Sequence, residues 1–205
     1  GDFKEALDLY IKCLDLSKEI SEKRSIAVSY NNLAGMYQVL GDINQALKKC
    51  KKAFSYAKRI NYKEGLAGFS FNISIILLNQ NIYTESLKYI NISTQEFKEM
   101  DNPFIWECHI VKTYLYMVRD ERKNVDEYYN NIKHLNSNNN YGAARNWELY
   151  KIKLYLGETD KNFLNNAYNL MQKDIEIINS KHSKKLFIEN FIHNKAILEE
   201  WEKVK

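Results

Sequence analysis

The stretch that decides the fold is Tyr30-Asn31-Asn32-Leu33-Ala34-Gly35-Met36-Tyr37-Gln38-Val39-Leu40-Gly41-Asp42-Ile43-Asn44-Gln45-Ala46-Leu47-Lys48-Lys49-Cys50-Lys51-Lys52-Ala53-Phe54. With Ile26 ahead of it, the set Tyr30, Leu33, Ala34, Tyr37 and Leu40 recurs at three- and four-residue spacing, which places one apolar stripe on a helix. Gly41 stops that helix where a left-handed residue is needed, and Asp42 caps the next. Ala46, Leu47, Cys50, Ala53, Phe54 and Ala57 then turn an apolar face back toward the first helix. The unit is a helix pair with small residues where the helices meet.

Working outward, a shift of forty residues superposes Gly1-Asp2-Phe3 on Gly41-Asp42-Ile43 and then on Asn81-Ile82-Tyr83. Ala6, Ala46 and Ser86 are small at one column, Leu7, Leu47 and Leu87 are identical at the next, and Cys13, Ala53 and Ser93 are small again. Ile20, Ile60 and Met100 are apolar; Ala27 pairs with Ala67 and Asn32 with Asn72. Agreement of both large and small positions at one period marks a stacked helical repeat, in which each unit accepts its neighbour's side chains at the same places. Asn81 suits the turn position of Gly41, since Asn tolerates the left-handed conformation.

Tyr30-x-x-Leu33-Ala34-x-x-Tyr37, followed by Gly41-Asp42, Ala46 and Ala53, resembles the tetratricopeptide repeat family. Residues 63–100 follow the pattern more loosely through Ser70, Ile73, Ser74, Leu77, Asn81, Ser86 and Ser93. The forty-residue period exceeds the usual length of about 34 and is similar to that of bacterial peptide-pheromone receptors and sensory segments of signalling proteins. The resemblance implies an all-α, right-handed superhelical array of antiparallel helix pairs.

Residues 1–20 read as a half repeat, 23–60 and 63–100 as clear repeats, 103–180 as degenerate ones and 183–205 as one terminal helix, giving about ten helices in a single domain. Pro103 is expected in the first turn of a helix running to about Arg119, and Asn136 through Asn140 as a polar loop. A chain opening on Gly1-Asp2 without Met reads as part of a longer protein.

Composition agrees. Only 7 Gly and 1 Pro occur in 205 residues, too few for the turns of a sandwich or barrel. The 30 Lys and Arg against 26 Asp and Glu give +4 with the signs interspersed, so no nucleic-acid partner is expected. No apolar run is long enough for a membrane helix. Three unpaired-looking cysteines, Cys13, Cys50 and Cys108, suit a reducing compartment and point to the cytoplasm, with Cys13 and Cys50 placed on packing faces. Phosphate-cradling and nucleophile-elbow motifs are absent, and His109, His134, His182 and His193 show no zinc-like spacing, so neither enzyme activity, a metal nor a cofactor is expected. Lys48-Lys49-Cys50-Lys51-Lys52 reads as an exposed helix face interrupted by core Cys50.

First helices of stacked pairs line the concave wall of such an array. Asn32 and Asn72 are there one repeat apart, and the resemblance implies that such an asparagine hydrogen-bonds the backbone of an extended peptide; a solvent-exposed polar residue is the plainer alternative. Gly35, Val39, Ile75 and Asn79 are expected to border the same groove, with His109 and Lys112 a turn further along. Val28, Asn31, Gly68 and Phe71 supply no cation, which excludes a clamp for a C-terminal carboxylate. The expectation is a non-catalytic module for a protein or peptide ligand; the alternative is a sensor or regulatory arm of a larger signalling protein such as a kinase, transcription regulator or ATPase.

Overall fold

The computed structural model describes residues 3–137, 141–158 and 160–204. Among the described residues there are eleven α-helices and no strand: α1 (Phe3–Glu19), α2 (Lys23–Val39), α3 (Ile43–Arg59), α4 (Lys63–Asn79), α5 (Tyr83–Glu99), α6 (Ile105–Val118), α7 (Arg122–Tyr129), α8 (Gly142–Tyr155), α9 (Asn162–Glu176), α10 (Lys181–Asn190) and α11 (Ile192–Val204).

The spacing is finer than the forty-residue repeat. Left-handed residues stand at Ser21, Gly41, Asn61, Asn81, Asp101 and Asp120, with φ between 50° and 83°. Each turn is closed in the same way: the amides of Asp42, Tyr62, Ile82 and Asn102 donate to the carbonyls of Tyr37, Ala57, Leu77 and Phe97, each at 2.9 Å. These six-residue loops satisfy carbonyls that a helix end leaves without partners. The turn beginning at Gly1-Asp2 lies outside the described residues. Asp42 caps α3 by accepting from the Gln45 amide at 3.0 Å, and Glu22 caps α2 by accepting from the amides of Arg24 and Ser25.

Small residues set how closely the helices approach. Ala46, Ala53, Ser86 and Ser93 are fully buried, and the two hydroxyls are paired: Ser86 Oγ donates to the Ser74 carbonyl at 2.8 Å, while Ser93 Oγ and Cys108 Sγ lie 3.3 Å apart. Ile73, Leu77 and Ile90 fill the space between pairs at 0% exposure, each contributing about 1.5–3 kcal/mol by burial. Helices α1 to α7 pack each on the next, as do α8 on α9 and α10 on α11, and α2 also touches α4, α4 touches α6 and α6 touches α8. The first helices therefore form a continuous row.

Three expectations need correction. The helix after Pro103 begins two residues later, at Ile105, because Asn102 Oδ1 accepts from the Phe104 amide and holds 102–104 as a turn. The terminal stretch 183–205, expected as one helix, is broken at Phe191, whose backbone is extended (φ −100°, ψ 109°). Asn190 Nδ2 donates to the Val39 carbonyl at the end of α2 at 2.7 Å, whereas α11 lies on α8 and α9; one straight helix cannot serve both directions. Cys13 is exposed, since α1 has a helix on one side only and buries just Leu14 and Ser17. Of the expected polar loop at 136–140, residues 138–140 lie outside the described residues.

Candidate functional site

Adjacent placement of α2 and α4 brings three asparagines together. Asn72 Nδ2 donates to Asn31 Oδ1 at 2.9 Å, and Cys50 Sγ lies 3.8 Å from the same oxygen. Asn31, Asn32, Gly35 and Asn72 line one cavity of about 280 Å³, with Tyr10, Ala34, Met36, Gln38 and Ile76 completing its wall. No atom lies within 4 Å of where a Cβ on Gly35 would stand, so the α2 backbone is open to an approaching chain. Among the described residues no charged side chain lines the cavity. The Asn32 side chain has no hydrogen-bond partner among the described residues, and each amide offers both donors and an acceptor. Chemically, the arrangement matches the donors and acceptors of a peptide main chain.

The remaining anticipated positions fall elsewhere. Asn79 lines a second cavity of about 160 Å³ with Tyr114, Trp147 and His193, and its Oδ1 is buried without a partner. Val39 is buried and its carbonyl is taken by Asn190. Ile75 packs against the cluster containing Phe71, Ile90 and Leu115. Lys112 occupies the column of Asn32 and Asn72 but is 9% exposed, with its ammonium 4.4 Å over the Tyr128 ring of α7. His109 is partly buried; burial, then the charge of Lys112, lowers its pKa.

Residues that sequence reasoning passed over include Gln38 and Tyr10, and Asn31 entered it only as a groove position without a cation. Consecutive asparagines diverge by about 100° on a helix, so the doublet suggests only one groove residue; the cavity wraps the side of α2 and uses both. A second omission is a buried charge cluster between α6, α8 and α11. Arg145 Nη1 lies 2.8 Å from Glu148 Oε2, and His193 Nε2 lies 3.3 Å from Glu148 Oε1, with Glu148 fully buried. Burial pushes the neighbouring Glu107 carboxyl up to about 7, with Arg145 opposing and Glu148 reinforcing the shift. Burial also pushes the Cys50 thiol up to about 12 and Cys108 up to about 11, which leaves both protonated at neutral pH. Among the described residues no group of His, Cys, Asp and Glu is arranged to hold a metal ion, and no helix is long and apolar enough to cross a membrane.

Paired helices in a continuous row, with an amide-lined pocket on the first helices of two neighbouring pairs, define a helical-repeat array. Residues 26–61, which form the helix pair of α2 and α3, match the tetratricopeptide repeat family model. The whole fold is similar to the crystal structure of a Rap protein complexed with competence and sporulation factor, at 17% identity and a TM-score of 0.67, covering 100% of this chain and 61% of that one. It is also similar to the apo form of RapI, at 12% identity and a TM-score of 0.60, covering 98% of this chain and 58% of that one. The chain thus spans about three fifths of the length of these structural neighbours. A comparison with curated proteins finds no match.

Proposed function

We propose that the array is a non-catalytic interaction module that holds an extended peptide, or an extended segment of a partner protein, in a concave groove running over α2 and α4. The observation that carries this reading is the uncharged cavity in which Asn31, Asn32 and Asn72 converge beside the open backbone at Gly35. Amides pair with a peptide backbone irrespective of its side chains, and an uncharged wall favours a neutral main chain over a phosphate or carboxylate. One structural neighbour is a Rap protein complexed with competence and sporulation factor, which accords with ligand binding by this architecture. A reducing cytoplasmic setting and independence of cofactors belong to the same proposal.

The test is selection of linear peptides by display on the full chain, followed by fluorescence anisotropy with the selected peptide. Asn32→Ala and Asn72→Ala are each expected to weaken binding by about 1–3 kcal/mol, through loss of partners for buried polar groups. Unchanged affinity in both variants contradicts the groove assignment.

The Asn190 bond to Val39 supports a second reading, that of a sensor or regulatory arm. It ties the C-terminal segment to the end of α2, one helix of the binding groove. In that case hydrogen exchange in α10 changes when the selected peptide is added; in a rigid scaffold it does not.

A further inference from the structure

Helix α3 carries a concentration of charge that the groove does not use. From Ile43 to Arg59 the helix holds Lys48, Lys49, Lys51, Lys52, Lys58 and Arg59, and no acidic residue. Like charges a turn apart, such as Lys48 and Lys52, work against the helix that carries them. Internal compensation is partial. Among the described residues the one ion pair these six cations make is Lys51 with Glu85 of α5, at 3.0 Å. Lys49, Lys52 and Arg59 lie over the rings of Tyr37, Tyr30 and Tyr56. Lys48 and Lys58 are exposed and make no ion pair with the described residues, as is true of Lys88 across from them on α5.

Apolar surface lies between these cations. Phe54 and Tyr89 meet edge to face at 5.7 Å, and with Ile82 and Ile92 they wall a cleft of about 530 Å³ between α3 and α5, rimmed by Lys58 and Lys88. Ile82 is 43% exposed. Next to it on α3, Leu47 floors a second depression of about 460 Å³ bounded by Lys48, Lys51 and Lys52. Leu47, Lys51, Phe54 and Lys58 follow one another at four-, three- and four-residue spacing, so apolar and cationic residues alternate along one helical seam.

We propose that this outer face of α3 and α5 is a docking surface for an acidic amphipathic helix of a partner protein, separate from the peptide groove. The apolar side of such a helix seats on Leu47, Phe54, Tyr89 and Ile92, and its flanking carboxylates meet Lys48, Lys58 and Lys88. Opposite charge across the interface sets approach and register, and the apolar cleft supplies the buried contact. Nucleic acid fits less well: Tyr30, Tyr37 and Tyr56 each already have a cation over a ring face that a base would stack on.

The probe is a synthetic peptide of about sixteen residues, some four helical turns, with Leu along one face and Glu on both flanks. Its binding to the full chain is read by fluorescence anisotropy. The Glu peptide is expected to bind, more weakly as salt is raised, and the triple variant Lys48→Gln, Lys58→Gln, Lys88→Gln to weaken it about tenfold. These three side chains are exposed, and an unchanged melting curve shows that the variant is folded. Asn32→Ala and Asn72→Ala leave this affinity unchanged, so failure here is distinct from failure of the groove. The proposal is overturned if the Glu peptide does not bind, if its Gln-for-Glu counterpart binds equally well, or if the triple variant binds like the wild type. Tighter binding to a DNA duplex or to phosphatidylserine vesicles than to the peptide also overturns it.

Discussion

Cys13 and Cys50 look alike in the sequence, each a small residue on an apolar stripe, yet one faces solvent and the other has no exposure. The difference comes from neighbours: α3 is packed by both α2 and α4, whereas among the described helices α1 packs chiefly on α2. Under native conditions a thiol reagent is expected to label Cys13 rapidly, and Cys50 and Cys108 only on unfolding, because their raised thiols are also shielded. Comparable labelling of all three in the folded protein would contradict the packing described. The buried charges were the least legible feature at this scale, since Glu148 and His193 lie forty-five positions apart and a lone carboxylate on a helix reads as solvated. Glu107 gives their environment a measurable sign. Its carboxyl is held up to about 7 in the folded chain against an ordinary 4.5. Between those values the folded state keeps a proton that the unfolded chain has released. Its contribution to stability is therefore full below about 4.5 and is lost as pH rises through about 7. Glu107→Gln is expected to match the wild type near pH 5 and exceed it near pH 8 by about 1–2 kcal/mol, allowing for solvent screening. Denaturant melts at the two pH values decide this, and equal slopes in both proteins would sink it.

Helix ends show how far local chemistry carried the fold. Gly41 and Asn81 were readable because Gly and Asn are the residues that accept a left-handed backbone most easily. Ser21, Asn61, Asp101 and Asp120 make equivalent turns, and only Asn61 among them carries an obvious signal, so the twenty-residue spacing stayed hidden inside the forty-residue one. Gly41→Ala is expected to cost about 1–2 kcal/mol for the left-handed conformation, with a further penalty because the new methyl meets the Asn190 amide at 3.0 Å. Asn61→Gly, at a turn of the same geometry, is expected to stay within about 0.5 kcal/mol of the wild type. Thermal melts of the two variants test the assignment; equal losses would contradict it. The break at Phe191 had no local signature, since no Gly or Pro marks it. It follows from the contact of Asn190 with Val39, 151 positions away, which periodicity does not register. Lys112 is a similar case: it keeps the repeat column of Asn72, but its ammonium lies over the Tyr128 ring of the eight-residue α7.

Across the whole molecule, stacked pairs place two chemically different surfaces on opposite sides of the same repeats. The first helices carry uncharged amides, the second helices cations set around apolar clefts, and α10 ties the far end of the chain to α2. Asn32, Gly35 and Asn72 could be placed together from the repeat alone, because a shared column on neighbouring first helices is a neighbourhood in space. Val39, Ile75, Asn79, His109 and Lys112 could not, since their surroundings depend on α7 and on the C-terminal helices, where the repeat has decayed. Whether an extended peptide lies on the amides of α2 and α4 is decided by nuclear magnetic resonance of the Asn side-chain amides on adding a display-selected peptide. Peptide binding in the groove predicts that the amide signals of Asn31, Asn32 and Asn72 shift together and saturate with the binding curve. Shifts confined to residues of α3 and α5, with those three amides unmoved, would contradict it.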